Sequence, residues 1–384
     1  STPIDPTTPP MATDLQSFLS PPADAARRTG PMDQIVLSSR VRLARNVQGF
    51  AFPGWAKKAE RVRSLETIRA SVEQLPAMLQ GFSESMDSLS SSDKQLLVER
   101  HLISREHAAK SAGSGLVIDR QESISVMINE EDHLRMQAIR PGLQLREAWQ
   151  AIDELDTTLE NRLPYAFSAD YGYLTACPTN VGTGIRVSAM LHLPGLVLAE
   201  LINAIIQSVN KLGLAVRGLY GEGTEALGNI FQVSNQMTLG ESEAQIVERL
   251  TKVVHQMIDH ELNARQKLLE DKPKVILNHI GRACGILSNA YTISSKEAMN
   301  LLSLARLAHD LKMFPSVPRA LFDELLLVSQ PAHLQRSHPG KLGADERDVL
   351  RADLLREQLR DLPRPIPPQL TPPAADANTT TGGE

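Results

Sequence analysis

The order of apolar and polar residues divides the chain into a mixed half and a helical half. Apolar residues alternate with polar ones over residues 35–43 and 185–192, and they recur at every second position over residues 124–128. A period of two predicts β-strands that bury one face. Apolar residues recur at helical spacing over residues 144–163 and 198–212. This mixture predicts an α+β fold, with a mostly antiparallel sheet flanked by helices.

From Ser242 onward, every periodic segment is helical. Ser242 and Gln245 form a start that resembles a capping box, Ser294 and Glu297 form another, and residues 345–360 have the pattern of a last helix. The sequence therefore predicts an α-helical domain after the sheet domain. The predicted boundaries are 31–240 for the sheet domain and 241–362 for the helical domain. Residues 1–30 and 363–384 are predicted to be disordered, since they are rich in proline and lack periodicity.

The composition narrows the class of protein. Of 384 residues, 42% are hydrophobic and 22% are charged, which is ordinary for a globular chain. The net charge of -5 gives no reason to expect direct nucleic-acid binding, and no apolar run approaches the roughly 20 residues of a membrane span. Two cysteines do not make a disulfide framework, so we expect a reducing, cytoplasmic setting without a membrane partner.

The segment CPTNVGTGIR at residues 177–186 joins a thiol to the start of a strand. Cys177 lies in a turn of small residues, and the alternation that follows places Arg186 opposite the apolar face. Taken alone, the thiol is also explained as an ordinary buried cysteine.

Arginines on another strand suggest a site for phosphate. Arg40 and Arg42 lie two residues apart, hence on one face and roughly 7 Å from each other. Guanidinium groups bind phosphate oxygens in pairs. The chain has no GxxxxGK[ST] loop and no HRD or DFG signature, so a triphosphate would have to be held by side chains such as these. A solvated strand face is the alternative.

Two further segments carry charged residues in suggestive positions. In NEEDHLR at residues 129–135, Asn129 is predicted to cap a helix with an acidic first turn, which places Glu131 and Arg135 one turn apart. In RGLYGEGTE at residues 217–225, three glycines give mobility, and Glu222 is predicted to close over a ligand. For residues 129–135 the alternative is an ordinary i,i+4 salt bridge, and for residues 217–225 it is a plain surface hairpin.

Taken together and in order, these segments resemble the phosphagen (ATP:guanido) kinase family over about residues 33–240. The strings that carry the resemblance are SSRVR at 38–42, NEEDHLR at 129–135, CPTNVGTGIR at 177–186 and RGLYGEGTE at 217–225. The resemblance implies a phosphagen-kinase-like catalytic domain that uses ATP and Mg²⁺ to phosphorylate a guanidinium group.

The resemblance also implies roles for particular residues. The arginines that would clamp the ATP phosphates are Arg40, Arg42, Arg135, Arg186 and Arg217. Glu131 and Glu222 would bracket the guanidinium of the acceptor, and Cys177 would touch its far side. These roles suit phosphoryl transfer, which depends on positioning and charge neutralisation more than on covalent help. No metal site made of protein side chains is predicted.

Within the family, the chain resembles the bacterial protein-arginine kinases of the McsB type. The matching strings are RGLYGEG at 217–223, ALGNIFQVSNQ at 226–236 and QPAHLQ at 330–335. Kinases of small guanidino compounds carry a histidine where this chain has Gly223, and a helical domain before the SSRVR motif. The RDxxRA pattern at 347–352 implies a phosphoarginine-binding pocket made by Arg347, Asp348 and Arg351. Arg347 and Arg351 are four residues apart and share one helix face, so they could bind a phosphate together, while Asp348 could hold a guanidinium.

We therefore expect an ATP-dependent kinase of arginine residues in proteins that serves protein quality control and degradation. The resemblance implies arginine-bearing protein substrates, an activator protein and a Clp-type unfoldase or protease as partners, and we expect a homodimer through the helical half. One alternative is a kinase for free arginine or another small guanidino compound. Another is a non-catalytic phosphoarginine reader that uses Arg347 and Arg351.

Overall fold

An antiparallel sheet lies at the centre of the computed structural model, which describes residues 11, 12, 14–21, 24, 29–219 and 226–367. The sheet strands within these residues are β1 Val36–Arg45, β2 Phe82–Ser85, β3 Gly115–Ile118, β4 Ile124–Ile128, β5 Leu134–Pro141, β8 Ile185–His192, β9 Leu214–Gly218 and β10 Ile230–Asn235. Their order is β2-β3-β4-β5-β1-β8-β10-β9, and every neighbouring pair is antiparallel. Phe167–Ser168 (β6) and Gly172–Tyr173 (β7) form a separate small hairpin. The predicted α+β class is confirmed.

Helices flank the sheet and make up the C-terminal part. The helices are α1 Leu15–Phe18, α2 Lys58–Glu73, α3 Ser91–Glu99, α4 Arg105–Ala108, α5 Leu145–Glu160, α6 Pro194–Leu198, α7 Ile202–Lys211, α8 Glu243–Asp271, α9 Pro273–Asn289, α10 Ser295–Asp310, α11 Arg319–Val328, α12 Pro331–Arg336 and α13 Ala344–Gln358. The predicted caps at Ser242 and Ser294 are confirmed, since each side chain accepts from the backbone N–H three residues on. Among these helices, none is both long and apolar enough to cross a membrane.

The two faces of the sheet have different surroundings. Val41, Leu43 and Val187 point to the buried face, which packs against α5 and α8. Because neighbours along a strand point to opposite sides, the intervening Arg42 and Arg186 project from the other face. The predicted orientation of Arg186 is therefore confirmed.

A second hydrophobic core lies among the C-terminal helices, and α8 contributes to both cores. Ile246–Met257 of this helix packs in the sheet core, whereas Leu268 packs with the helices that follow. Buried polar contacts join the two parts. Arg306 donates to the backbone carbonyls of Asp33 at 2.8 Å and Gln34 at 3.0 Å. Glu99 accepts from the first free N–H groups of α12, at Ala332 and His333.

A fully buried arginine connects β1 to the segment that follows Cys177. Arg45 pairs with Asp156 of α5 at 2.6 Å and donates to the carbonyl oxygen of Thr183 at 2.8 Å. Its guanidinium also lies 3.5 Å from the centre of the Tyr173 ring. This set of contacts fixes the loop that leads into β8.

Two predictions of local structure were wrong. Leu15–Phe18 belongs to the segment predicted to be disordered, yet it forms α1, and Leu15, Phe18 and Leu19 are buried against the sheet edge. The prediction of disorder also covers residues that lie outside the described ones, namely 1–10, 13, 22, 23, 25–28 and 368–384. The single helix predicted over 198–212 is two helices, since Glu200 has a φ of 60° and breaks the run.

Removing Asp156 tests the Arg45 anchor. Asp156→Ala leaves the buried guanidinium with only the Glu243 carboxylate, 3.7 Å away, so we expect the free energy of unfolding to fall by about 3 kcal/mol or more. Urea denaturation followed by circular dichroism measures this loss. Asp153→Ala, an exposed carboxylate on the same helix, serves as the control and should change stability little. Equal stability of the Asp156→Ala variant and the wild type would contradict this role.

Candidate active site

Five arginines project from one face of the sheet. Strand pairing places Arg42 of β1 directly opposite Arg186 of β8 and Gln137 of β5. Arg135 lies two residues before Gln137, and Arg217 of β9 is paired with Gln232 of β10. Residues that face each other across an antiparallel pair share a face, as do residues two apart on one strand. The structure thus brings together all of the predicted phosphate ligands, namely Arg40, Arg42, Arg135, Arg186 and Arg217.

These guanidinium groups repel one another. Burial, followed by the charges of Arg40, Arg135 and Arg186, holds the pKa of Arg42 well below its usual value. Burial, then Arg217 and Arg135, also lowers the pKa of Arg186. The Nε atoms of Arg42 and Arg186 are buried and have no hydrogen-bond partner among the described residues. Buried donors without partners and excess positive charge indicate a site for a polyanion.

A partly apolar cavity adjoins this arginine face. Arg40 donates through Nη2 to Gln232 at 2.7 Å, and these two residues line a small cavity of about 90 Å³. That cavity shares Ser38, His101 and Met190 with a larger one of about 290 Å³. Burial, then the charge of Arg40, lowers the pKa of His101 to about 4, so its imidazole is neutral at neutral pH.

A pocket of opposite charge lies on the other side of Arg135. Its volume is about 580 Å³, and its carboxylates are Glu106, Glu130 and Glu131. Burial and then the neighbouring Asp132 raise the pKa of Glu131 above its ordinary value. Trp55, which is 88% exposed, stands at the rim. Arg135 and Lys110 also line the pocket, so its three carboxylates leave a small excess of negative charge, which makes the pocket suitable for a cation.

The turn that carries Glu131 is not the predicted helix start. Asn129 has a φ of 57° and closes a turn between β4 and β5, with its backbone N–H bonded to the carbonyl oxygen of His133. Arg135 pairs with Glu130 at 2.5 Å instead of Glu131. Within the described part of the chain, Glu131 has no ion-pair partner. The Glu131 carboxylate is therefore available to a ligand.

Cys177 is half-buried and begins the short 3₁₀ turn Pro178–Asn180. Its sulfur lies 3.0 Å from the Thr179 hydroxyl, and it is near enough to Arg186 to favour the charged form of that arginine. The preceding residues, Thr175 and Ala176, line the acidic pocket. Cys177 therefore lies beside both the acidic pocket and the arginine face.

Two positioning residues were missed by sequence reasoning. Asp132 accepts from the backbone N–H of Ala176 and from Asn46, both at 2.6 Å, and so holds the Cys177 segment against the Glu131 turn. Arg45 holds the carbonyl oxygen of Thr183 from behind. A signal existed for Arg45, because its odd-numbered position on the alternating strand predicts the buried face, where a charge requires a partner.

The remaining predicted residues are placed differently. Glu222 lies outside the described residues. Arg347, Asp348 and Arg351 lie on α13, which packs on α9 and α12. Arg351 is 1% exposed and donates to the carbonyl oxygens of Ser329 at 2.8 Å and Ile293 at 2.7 Å, and to Asp348 at 2.5 Å. Arg347 is half-buried and donates to the carbonyl oxygen of Leu342 at 2.9 Å. The two arginines therefore differ in exposure, and Arg351 is the buried one.

Comparison with known proteins agrees with this geometry. Residues 64–264 match the family model described as ATP:guanido phosphotransferase, C-terminal catalytic domain. Residues 273–369 match the model described as protein-arginine kinase McsB C-terminal domain. A protein-arginine kinase of Pelotomaculum thermopropionicum is 44% identical over 337 residues, covering 87% of this chain and 95% of that protein. The protein-arginine kinase of Geobacillus stearothermophilus is 48% identical over 333 residues, covering 86% and 92%.

Solved structures show the same fold. A crystal structure of lombricine kinase is similar with a TM-score of 0.53 at 24% identity, covering 70% of this chain and 74% of that one. The duplicated taurocyamine kinase from Schistosoma mansoni, with bound transition state analog components, has a TM-score of 0.54 at 24% identity, covering 88% and 44%. The fold and the site define an ATP:guanido phosphotransferase. Within that class, the chain belongs to the protein-arginine kinase family.

The repulsion among the arginines predicts how a polyanion changes stability. Tripolyphosphate at about one hundred times its dissociation constant should stabilise the wild type by about 2.7 kcal/mol. Arg42→Met should lose most of this gain, and without ligand it should unfold no more easily than the wild type, because a disfavoured buried charge is gone. Thermal unfolding with and without tripolyphosphate measures both effects.

Arg140→Met is the control for that experiment. Arg140 lies on β5 but pairs with Ser39, so it is out of phase with Arg40 and belongs to the opposite face. Its replacement should leave the stabilisation by tripolyphosphate intact. An Arg42→Met protein that keeps the full stabilisation would show that the anion binds elsewhere.

Proposed function

We propose that this chain transfers the γ-phosphoryl group of ATP to the guanidinium group of arginine side chains in proteins, giving phosphoarginine. The observation that carries the proposal is the contact between two oppositely charged sites. Arg135 belongs to the arginine face and also lines the pocket of Glu106, Glu130 and Glu131. A polyanion on one side and a cation on the other would meet at this boundary.

ATP fits the arginine face and the adjoining cavity. Its phosphates would accept from Arg40, Arg42, Arg135, Arg186 and Arg217, including the unpartnered Nε donors. Its base would enter the cavity beside Met190 and the neutral His101, whose ring can form hydrogen bonds without adding charge. Within the described residues, no three acidic, histidine or cysteine side chains gather to hold a metal. Mg²⁺ would therefore arrive as part of the MgATP substrate, bound to phosphate oxygens.

The acceptor would lie against Glu131. A guanidinium has a pKa above 12 and must lose a proton as the new N–P bond forms. The γ-phosphorus bond to the bridging oxygen breaks, ADP leaves with that electron pair, and the Glu131 carboxylate takes the proton. The raised pKa of Glu131 makes it a better base than an exposed glutamate. Cys177 on the far side, and Glu222 as a second carboxylate, would orient the guanidinium.

The protein as acceptor is supported by the relatives and by the shape of the pocket. The strings that resemble protein-arginine kinases occur in both halves of the chain, and the match to the C-terminal family model covers residues 273–369. The acidic pocket is bordered by an 88% exposed tryptophan, Trp55, so an arginine could enter while its chain stays outside. Trp55 offers that chain an apolar contact.

We propose a second, phosphoarginine-binding site on α13. Arg351 is buried and holds the Asp348 carboxylate, so it acts as a support. Arg347 and Asp348 are less buried, and they would receive the phosphate and the guanidinium of a phosphoarginine, respectively. Residues 31–240 would then catalyse the reaction, and residues 241–362 would bind the product.

The cellular setting follows from the chemistry of the mark. Phosphorylation replaces the positive charge of arginine by negative charge, which a partner can read. We propose a role in protein quality control and degradation, with an activator protein and a Clp-type unfoldase or protease as partners. Both cysteines are free thiols, which supports a cytoplasmic setting. Exposed Val275, Tyr291 and Val349 on the helical part support a homodimer through that region.

Labelled ATP distinguishes the possible acceptors. With γ-labelled ATP, we expect acid-labile label on a folded arginine-rich protein, and a loss of about 100-fold or more in Glu131→Gln. Glu154→Gln, an exposed glutamate on α5, should retain full activity. Label on free arginine alone would instead support a kinase of small guanidino compounds. Binding of phosphoarginine without any transfer would support a non-catalytic reader.

The raised pKa of Glu131 predicts the acid limb of the activity. A protonated Glu131 can neither balance the guanidinium charge nor accept its proton, so kcat/KM should fall as the pH drops through this pKa. Because the pKa lies above the ordinary 4.5, the fall should begin at a higher pH than for an unperturbed glutamate. A pH profile of kcat/KM with a protein substrate measures it. A midpoint below 4.5 would contradict the assignment.

A further inference from the structure

A basic pocket lies directly beside the acidic one. Its volume is about 280 Å³, and its charged side chains are Arg61 and Lys110, with no carboxylate in its lining. The two pockets share Gly54 and Lys110, so they form one continuous depression. Negative and positive charge therefore alternate along the surface from Glu131 to Arg61.

The two cations of this basic pocket have unused capacity. Arg61 donates through Nη1 to the carbonyl oxygen of Ala56 at 2.9 Å. The backbone carbonyl oxygen of Lys110 accepts from Lys94 Nζ at 2.9 Å, and this contact does not involve the Lys110 ammonium group. Across the described ranges, neither Arg61 nor Lys110 is paired with an acidic side chain. Two neighbouring cations without an ion-pair partner favour an anionic ligand.

The pocket is preformed by the same turn that carries Glu131. The Asn129 side chain donates to the carbonyl oxygens of Arg61 at 3.0 Å and Gly113 at 2.7 Å. Ser114 in turn donates to the carbonyl oxygen of Asn129 at 2.8 Å. Gly113 has a φ of 87°, and a Cβ there would lie 2.8 Å from the Cβ of Arg61, so only glycine allows this approach. The basic pocket and Glu131 thus have a fixed spacing.

We propose that the basic pocket binds the carboxylate of an aspartate or glutamate close in sequence to the target arginine of a substrate protein. This inference rests on the proposed function, because it requires the arginine to occupy the acidic pocket. An extended chain advances about 3.3–3.6 Å per residue, so a neighbouring side chain reaches an adjoining pocket. Alternating charges on the enzyme select the complementary order on the substrate. The kinase then prefers arginines in an acidic context.

Matched peptides test this preference. One series carries a single arginine, with a glutamate moved one position at a time along either side of it, and a second series carries glutamine at the same positions. With wild type, kcat/KM for the best glutamate peptide should exceed that of its glutamine partner by about threefold to tenfold. The ratio should fall to about one in Lys110→Gln. In Lys110→Glu, a peptide with lysine at that position should become the better substrate.

Lys58→Gln is the control, because Lys58 lies on α2 with Arg61 but is exposed and lines neither pocket. It makes the same change in net charge and should keep the wild-type ratio. Equal kcat/KM for glutamate and glutamine peptides at every position would overturn the proposal. The same is true if Lys58→Gln lowers the ratio as much as Lys110→Gln.

The carboxylate has a second source, the α-carboxylate of the arginine itself. Peptides that end in arginine as a free acid or as an amide separate the two. If Lys110→Gln changes only this pair, the pocket binds an α-carboxylate and the proposal is wrong. If the wild type phosphorylates no peptide and no protein, the proposed function is wrong, and the basic pocket cannot be a substrate subsite. Phosphorylation of glutamate and glutamine peptides at equal rates is a different result, because it contradicts only the basic-pocket proposal.

Discussion

The repulsion among guanidinium groups on one sheet face is the constraint on which the rest of the structure depends. Burial, and then the charges of Arg40, Arg135 and Arg186, lowers the pKa of Arg42. Flexible loops would let such charges move apart, but paired strands hold them in register. The free energy for this comes from the opposite face, where Val41, Leu43 and Val187 are fully buried. The sheet thus holds like charges close together, and under the proposed function the ATP phosphates would offset them.

The acidic pocket depends on a second constraint, which is the hairpin turn at Asn129. Turning the chain there places Glu130 against Arg135 and leaves Glu131 facing the pocket. Asp132, the next residue, fixes the segment before Cys177 through the Ala176 N–H. A single turn therefore sets the distances between Glu131, the Cys177 thiol and the arginine face. The same turn shapes the basic pocket through Arg61 and Gly113.

Local pattern was enough to predict β1, β4 and β8 and the orientation of Arg42 and Arg186, because alternation reports directly on burial. The turn at Asn129 was not predictable in this way. Asn-Glu-Glu is a good helix start, but the Asn129 side chain instead bonds to Arg61, 68 residues away in sequence. The alternation of β1 places Arg45 on the buried face, but nothing local indicates its partner Asp156. Arg351 looks like a surface residue in the sequence and is buried because the carbonyl oxygen of Ile293 comes from a distant segment. Pairing over such separations leaves no local signal.

If the arginine face binds ATP and the Glu131 pocket binds the arginine that receives the phosphoryl group, the two ligands should bind cooperatively. Isothermal titration calorimetry of an arginine peptide, with and without MgADP and nitrate, tests this cooperativity. Nitrate is planar and stands in for the phosphoryl group during transfer. We expect the peptide to bind about fivefold more tightly, or better, when MgADP and nitrate are both present, and we expect Glu131→Gln to abolish this increase in affinity. Equal peptide affinity with and without MgADP and nitrate would contradict it.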